Sequence, residues 1–258
     1  MKFIFRLLPL LPAVIASTLV AAEPLRFEFG SGGIAPETTF TKELGHGFEP
    51  GAVIATSAEG KSCVSDRPFY FSIALPEGNY RVTFTPGGTP TTIKAELRRL
   101  MIENATAARS FIVNIRTSRI ADGVSVHLKD REKSAEAWNW DEKLTLEFNG
   151  AHPSVAAIEV ARVDVPVLYL LGDSTVCDQP REPFASWGQM LTRFFKSEIA
   201  VANHAESGES LRSSLNAKRL EKVAGALKPG DTVLIQFGHN DEKERGEEIG
   251  RASCRERV

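Results

Sequence analysis

Cysteine is scarce in this chain of 258 residues, and the three present, Cys63, Cys177 and Cys254, are too few and too scattered for a disulfide framework. Their spacing fits no metal site either. Stability must come from packed cores, and Cys63 and Cys177 read as isolated buried thiols. No sign of charge dominates: 31 Lys and Arg stand against 33 Asp and Glu, a formal net charge of -2. With no basic block as well, the electrostatic footprint of a nucleic-acid binder is missing. Long apolar runs are missing too, except at the amino terminus, so no later segment is expected to cross a bilayer.

At that terminus Lys2 and Arg6 precede an apolar stretch from Leu7 to Val20, and Val20-Ala21-Ala22 offers small residues for cleavage. Residues 1–22 therefore read as a secretory signal peptide, with the mature chain starting at Glu23 and the product secreted or periplasmic. The other reading is an uncleaved anchor, but Pro9 and Pro12 interrupt a run already short for a span. The remainder, 42% hydrophobic and 25% charged over the whole chain, has material for two modest domains.

From residue 23 to 163 short β-type runs alternate with turn clusters, the pattern of an all-β sandwich. The runs are Leu25 to Phe29, Phe69 to Ile73, Arg81 to Phe84, Phe111 to Ile115, Val124 to Leu128, Leu144 to Phe148 and Ala157 to Val160. Leu75-Pro76-Glu77-Gly78-Asn79 has the residues of a hairpin loop and is expected to join the second run to the third. The stretch Thr91 to Asn104 carries both helical and alternating spacing and is taken as strand. Trp138 and Trp140 suit either stacking on sugar rings or packing at a strand edge.

Pro166 ends the sandwich pattern, and residues 164–247 switch to strand, helix, strand, helix, strand. The strands are Val167 to Leu171, Ile199 to Ala202 and Thr232 to Phe237. Trp187, Met190, Leu191, Phe194 and Phe195 mark one expected helix, and Leu211, Leu215, Leu220, Val223 and Leu227 a second. That alternation predicts a parallel, doubly wound sheet whose strands all end at one edge, where such sheets place ligands.

Three loops meet at that edge. Gly172-Asp173 throws Ser174 up after the first strand; Ser174 is a candidate nucleophile or only the N-cap of the next helix. After the second strand, Gly208 is either a turn glycine or a backbone N–H that a substrate can approach closely. After the third, Asn240 is either a capping residue or a neutral carboxamide donor. Taken together they suit acyl transfer, where each donor aimed at a developing oxyanion contributes about 3 kcal/mol in the transition state.

Gly172-Asp173-Ser174, Ala205-Glu206-Ser207-Gly208-Glu209-Ser210 and Gly238-His239-Asn240-Asp241 resemble the first three blocks of the SGNH (GDSL-type) hydrolases. Ser186-Trp187-Gly188-Gln189 and the run from Gly230 to Asp241 are closer to one branch, the rhamnogalacturonan acetylesterases. Phe27-Glu28-Phe29-Gly30 and Gly45-His46-Gly47-Phe48 resemble the galactose-binding-like domain that precedes some of these esterases. The resemblance implies a flavodoxin-like, three-layer α/β domain, Ser174 as nucleophile, and Gly208 and Asn240 completing the oxyanion hole. It implies no metal and no organic cofactor. The implied substrate is an acetylated polysaccharide or oligosaccharide of plant cell wall, with no nucleic acid and, after signal cleavage, no membrane as partner. Rival expectations are another acetylated glycan or lipid as substrate, or a non-catalytic carbohydrate-binding protein with a degenerate hydrolase domain.

The family's fourth block places an Asp three residues before the His that serves as base, and no Asp of this chain stands three before any His. His46, His127 and His152 belong to the sandwich, while His204 and His239 read as structural. The α/β domain is therefore expected to be incomplete and the chain inactive as it stands. Residues 248–258 show neither period; they read as a charged disordered tail or, preferably, as translated adapter sequence. An incomplete sheet leaves an unpaired apolar edge and predicts poor solubility.

Overall fold

A computed structural model describes residues 23–195 and 197–243 of the chain. The expected signal peptide and the segment 248–258, with Cys254, lie outside the described residues. Among those residues no helix is long and apolar enough to cross a membrane.

Alternation builds the first part. In Gly78–Thr85 the side chains of Tyr80, Val82 and Phe84 are buried while Arg81 is exposed, so one face of the strand must be covered. Two antiparallel sheets do this for each other. One runs in the order Leu25–Glu28, Ala157–Arg162, Gly78–Thr85, Arg109–Ile115. The other runs His46–Phe48, Phe69–Ala74, Lys143–Asn149, Thr91–Ala95, Arg99–Ala105. Their inner faces share one core in which Phe69 stacks on Phe148 with centroids 4.8 Å apart and Phe84 leans on the same ring at 5.7 Å.

Two expectations need correction here. The loop after Ala74 is not a hairpin: Phe69–Ala74 and Gly78–Thr85 lie in opposite sheets, and Pro76 and Glu77 carry the chain across the sandwich. Tyr80, whose hydroxyl donates to the Pro76 carbonyl at 2.8 Å, pins that crossing. The stretch from Thr91 is not one strand but two, Thr91–Ala95 and Arg99–Ala105, because Glu96 and Arg98 adopt positive φ (54° and 62°) and fold the chain back.

The turn buries Glu96, whose carboxylate accepts from the Thr145 N–H at 3.1 Å. Burial pushes this carboxyl up to about 8, with the neighbouring Arg99 opposing the shift and Asp141 adding to it. The folded chain thus holds a proton that the unfolded chain, near 4.5, has given up. Stability should therefore fall as pH rises from about 4.5 to about 8 and be flat below that window. In Glu96→Gln the slope should shrink, which urea midpoints at about pH 5 and about pH 8 would show; an unchanged slope would assign it to other groups.

The second part is a three-stranded parallel sheet, with Val167–Gly172 in the centre between Ala200–Asn203 and Thr232–Gln236. The apolar run buries the central strand on both faces, and the three carboxyl ends do leave one edge. It shares a core with the sandwich, where Ile112 packs into the cluster of Val167, Tyr169, Leu171 and Val223.

Both expected helices are shorter than their apolar stripes. The first is Trp187–Leu191 followed by a 3₁₀ turn at Thr192–Phe194, with Phe194 73% exposed. The second breaks into Leu211–Asn216 and Arg219–Ala226 at Lys218, whose φ is 62°. Leu211, Leu215, Leu220 and Leu227 stay exposed, because among the described residues nothing covers that side.

Among the described residues the strand Thr232–Gln236 pairs on one side only and leaves Leu234 and Ile235 exposed. A bare apolar edge templates association with further strands. Ile235→Lys should accordingly lower light scattering of concentrated protein without moving the urea midpoint. Equal scattering by both proteins would locate the sticky surface elsewhere.

Candidate active site

Ser174 stands on a turn closed by Asp173. The buried Asp173 carboxylate accepts from the Thr175 N–H at 2.9 Å and its hydroxyl at 2.8 Å, while the Asp173 carbonyl accepts from the N–H groups of Val176 and Cys177. An Asx-type turn of this kind leaves the residue after the aspartate at its crest. Ser174 is half-buried, and its Oγ makes no hydrogen bond among the described residues. It does not cap the next helix; that role falls to Ser186, whose Oγ accepts from the Gln189 N–H at 3.1 Å.

The Gly208 loop is stitched to this turn. Glu206 N–H donates to the Gly172 carbonyl at 3.1 Å, Cys177 Sγ lies 3.1 Å from Ser207 Oγ, and Gln179 Nε2 donates to the Ser174 carbonyl at 2.8 Å. Gly208 has φ of +73°, which an L side chain adopts only with strain, and a Cβ there would meet only Lys129 Nζ, at 4.0 Å. The space beside its backbone is open. Neither the Ser174 N–H nor the Gly208 N–H meets an acceptor among the described residues.

Asn240 closes the group from the third loop. Its Nδ2 donates to the Glu209 carbonyl at 3.0 Å, one residue beyond Gly208, and its Oδ1 accepts from Lys243 at 3.3 Å. Asp241 holds that loop in place by accepting from the N–H groups of Gly238 at 2.9 Å and Leu211 at 3.0 Å. The three residues singled out by sequence thus sit on loops bonded to one another.

The chain is similar to esterases. Over 81 residues it is 46% identical to the rhamnogalacturonan acetylesterase RhgT of Bacillus subtilis, covering 31% of this chain and 35% of that protein. Over 253 aligned residues it is 28% identical to the uncharacterized esterase YxiM of the same organism, covering 86% of this chain and 61% of that one. The chain thus spans about a third of the first relative's length and under two thirds of the second's. The crystal structure of YxiM is 23% identical, with a TM-score of 0.39 over 89% of this chain and 69% of that one. No family model matches the chain.

No histidine serves Ser174 among the described residues. His204 is buried against Trp140 and Tyr169, with ring centroids 5.8 and 5.9 Å away. Burial first, then Arg116, Lys222 and Arg219, holds its pKa well below the ordinary value, so it stays neutral. His239 is exposed, its Nε2 3.1 Å from Lys243 Nζ. Cys177 is no rival nucleophile, since burial pushes its thiol up to about 12.

Sequence reasoning missed the residues that clamp these loops from the sandwich. Arg99 Nε donates to Asp178 at 2.7 Å, and Arg98 Nη1 donates to the carbonyls of Gln179 and Phe184. Lys129 and Arg131 reach Glu206, Ser207 and Glu209. Beneath them Glu132 accepts from Trp140 Nε1 at 2.9 Å and Arg219 Nη2 at 2.6 Å. Trp140 therefore sits in a buried ionic layer, with the Arg116 guanidinium 4.6 Å from its ring, and is not the exposed edge residue expected of a sugar platform. Trp138 packs on Tyr70 at 5.2 Å.

Proposed function

We propose that the protein is an exported serine esterase of the SGNH type, with a galactose-binding-like sandwich preceding its α/β part, that removes O-acetyl groups from a polysaccharide, rhamnogalacturonan. The observation that carries this reading is the combination at the sheet edge: an unengaged Ser174 Oγ and, on loops hydrogen-bonded to each other, two unengaged backbone N–H groups among the described residues, those of Ser174 and Gly208. The similarity to an acetylesterase named for rhamnogalacturonan supports the substrate class.

In this mechanism Ser174 Oγ bonds to the acetyl carbonyl carbon as its proton passes to a base. The carbonyl oxygen becomes an oxyanion facing the Ser174 and Gly208 N–H groups and the Asn240 carboxamide. Collapse breaks the bond to the sugar oxygen, which takes the proton from the base and leaves as the alcohol. Water then attacks the acetyl-serine, releasing acetate and restoring the hydroxyl. Because no described histidine reaches Ser174, the chain by itself turns over slowly, at the level that binding and the oxyanion donors sustain.

The test is acetate release from acetylated rhamnogalacturonan by the chain with imidazole in the buffer as external base, compared with Ser174→Ala. Release that depends on Ser174 supports the reading. Binding of pectic oligosaccharide with no Ser174-dependent release overturns it in favour of a non-catalytic carbohydrate-binding protein.

A further inference from the structure

The peptide group joining Ser207 to Gly208 has its two ends in different places. Its N–H belongs to Gly208 and meets no acceptor among the described residues. Its carbonyl oxygen, on Ser207, accepts from two cations of the sandwich: Lys129 Nζ at 2.8 Å and Arg131 Nη2. The peptide is trans, as only Glu182-Pro183 is cis among the described residues, so C=O and N–H point in opposite directions.

From this arrangement we infer that Lys129 and Arg131 are positioning residues for the oxyanion hole, acting on the Gly208 N–H through the Ser207 carbonyl. The inference rests on the esterase reading above. Two effects follow from having positive donors on the carbonyl. The peptide plane cannot rotate without breaking both bonds, so the N–H stays directed away from the two cations. Charge drawn toward the carbonyl oxygen also leaves the N–H more positive, and hydrogen bonds in series strengthen one another in this way. A preoriented donor of that kind costs no reorganisation when the oxyanion forms.

The cations are themselves held. Arg131 Nε donates to Glu206 at 2.6 Å and Lys129 Nζ lies 2.9 Å from Glu209, so acidic side chains on both sides of the Ser207-Gly208 peptide fix the donors to it. Lys129 continues into the 3₁₀ turn Asp130–Lys133, whose Glu132 is tied to the buried Arg219 and Trp140. The sandwich thereby contributes to the chemistry of a loop that belongs to the parallel sheet. Yet both cationic side chains remain about a third or more exposed, at 35% and 41%, so trimming them need not unfold the chain.

The experiment uses the whole chain, with 4-nitrophenyl acetate as substrate, imidazole as external base and the Ser174→Ala rate subtracted. The Lys129→Met/Arg131→Met double variant should lose about tenfold in kcat with KM unchanged, less than the roughly 10²–10³ seen when a donor is removed outright. Lys129→Arg and Arg131→Lys, which keep a cationic donor, should restore most of it. In ¹⁵N-labelled protein the Gly208 amide nitrogen should move upfield in the double variant and return in the conservative ones, because carbonyl hydrogen bonds deshield the nitrogen of the same peptide. An unchanged Gly208 shift, or an unchanged kcat beside intact Ser174-dependent turnover, overturns the inference and leaves the esterase reading standing. Absence of Ser174-dependent turnover in the parent chain would remove the esterase reading, and with it the inference, while the Gly208 shift still reports on the clamp.

Discussion

Ser174→Ala is expected to remove the Ser174-dependent part of acetate release: where a histidine base serves the serine, kcat should fall on the order of 10⁶-fold with KM little changed. On the proposed mechanism the covalent route is lost, while the oxyanion donors assigned to Ser174 N–H, Gly208 and Asn240 are left in place. In the chain as it stands the same substitution should cost far less, because without a base the serine is a weak nucleophile. Under the proposed mechanism, what would remain is the roughly 10³-fold advantage over water that binding and oxyanion stabilisation supply when a triad is broken. Imidazole should widen the gap between the parent protein and the Ser174→Ala variant in proportion to its neutral concentration. A gap that ignores imidazole would show that some other group takes the proton.

Asp178→Ala should be the most damaging single change to stability. Asp178 is wholly buried and accepts from Arg99 Nε at 2.7 Å and Asn203 Nδ2 at 2.9 Å, with Arg116 Nη2 at 4.0 Å. Burial already drives Arg116 down to about 9, with Arg99 adding to the effect and Asp178 opposing it. Without the carboxylate the two buried guanidiniums lose the anion they share, leaving Glu96 and Glu132 to oppose the shift at Arg116. Breaking a buried pair from one side costs about 3–5 kcal/mol, a large share of the roughly 5–15 kcal/mol that holds an ordinary domain folded. The urea midpoint should collapse. Asp122→Ala, which removes a similarly short but exposed pair with Arg119, should leave the midpoint in place. Comparable midpoints for the two variants would mean that the buried layer is hydrated and carries no such energy.

The contrast between these two pairs also explains what could be read from the sequence. Runs such as Val167 to Leu171 and Leu144 to Phe148 announce strands because burial of one or both faces fixes their composition locally. Ser174, Gly208 and Asn240 are legible because each follows a strand within a few residues, and a parallel sheet delivers all such loops to one edge. Lys129, Arg131 and Asp178 are not legible. Their partners lie on distant parts of the chain, and a lone basic or acidic residue looks the same whether it is solvated or buried against an opposite charge. The crossing at Pro76 and Glu77 has a similar origin: the residues do make a turn, but which sheet the next strand joins depends on partners such as Arg109–Ile115 and Ala157–Arg162. The amphipathic stripes after Ser174 mislead for the opposite reason, since apolar spacing without a covering layer does not sustain a long helix.

The pairing of Leu25 with Val160 sets a schedule for the molecule. Among the described residues the sandwich strand that comes first in the chain has one sheet neighbour, and that neighbour is the last strand of the sandwich. Until then Phe27 and Phe29 have no lasting place in the core, and the opening segment waits as unpaired chain. Closing so distant a contact makes folding slow compared with a helical protein of this length. Until Ala157–Arg162 is available, the first strand is open to capture by other chains.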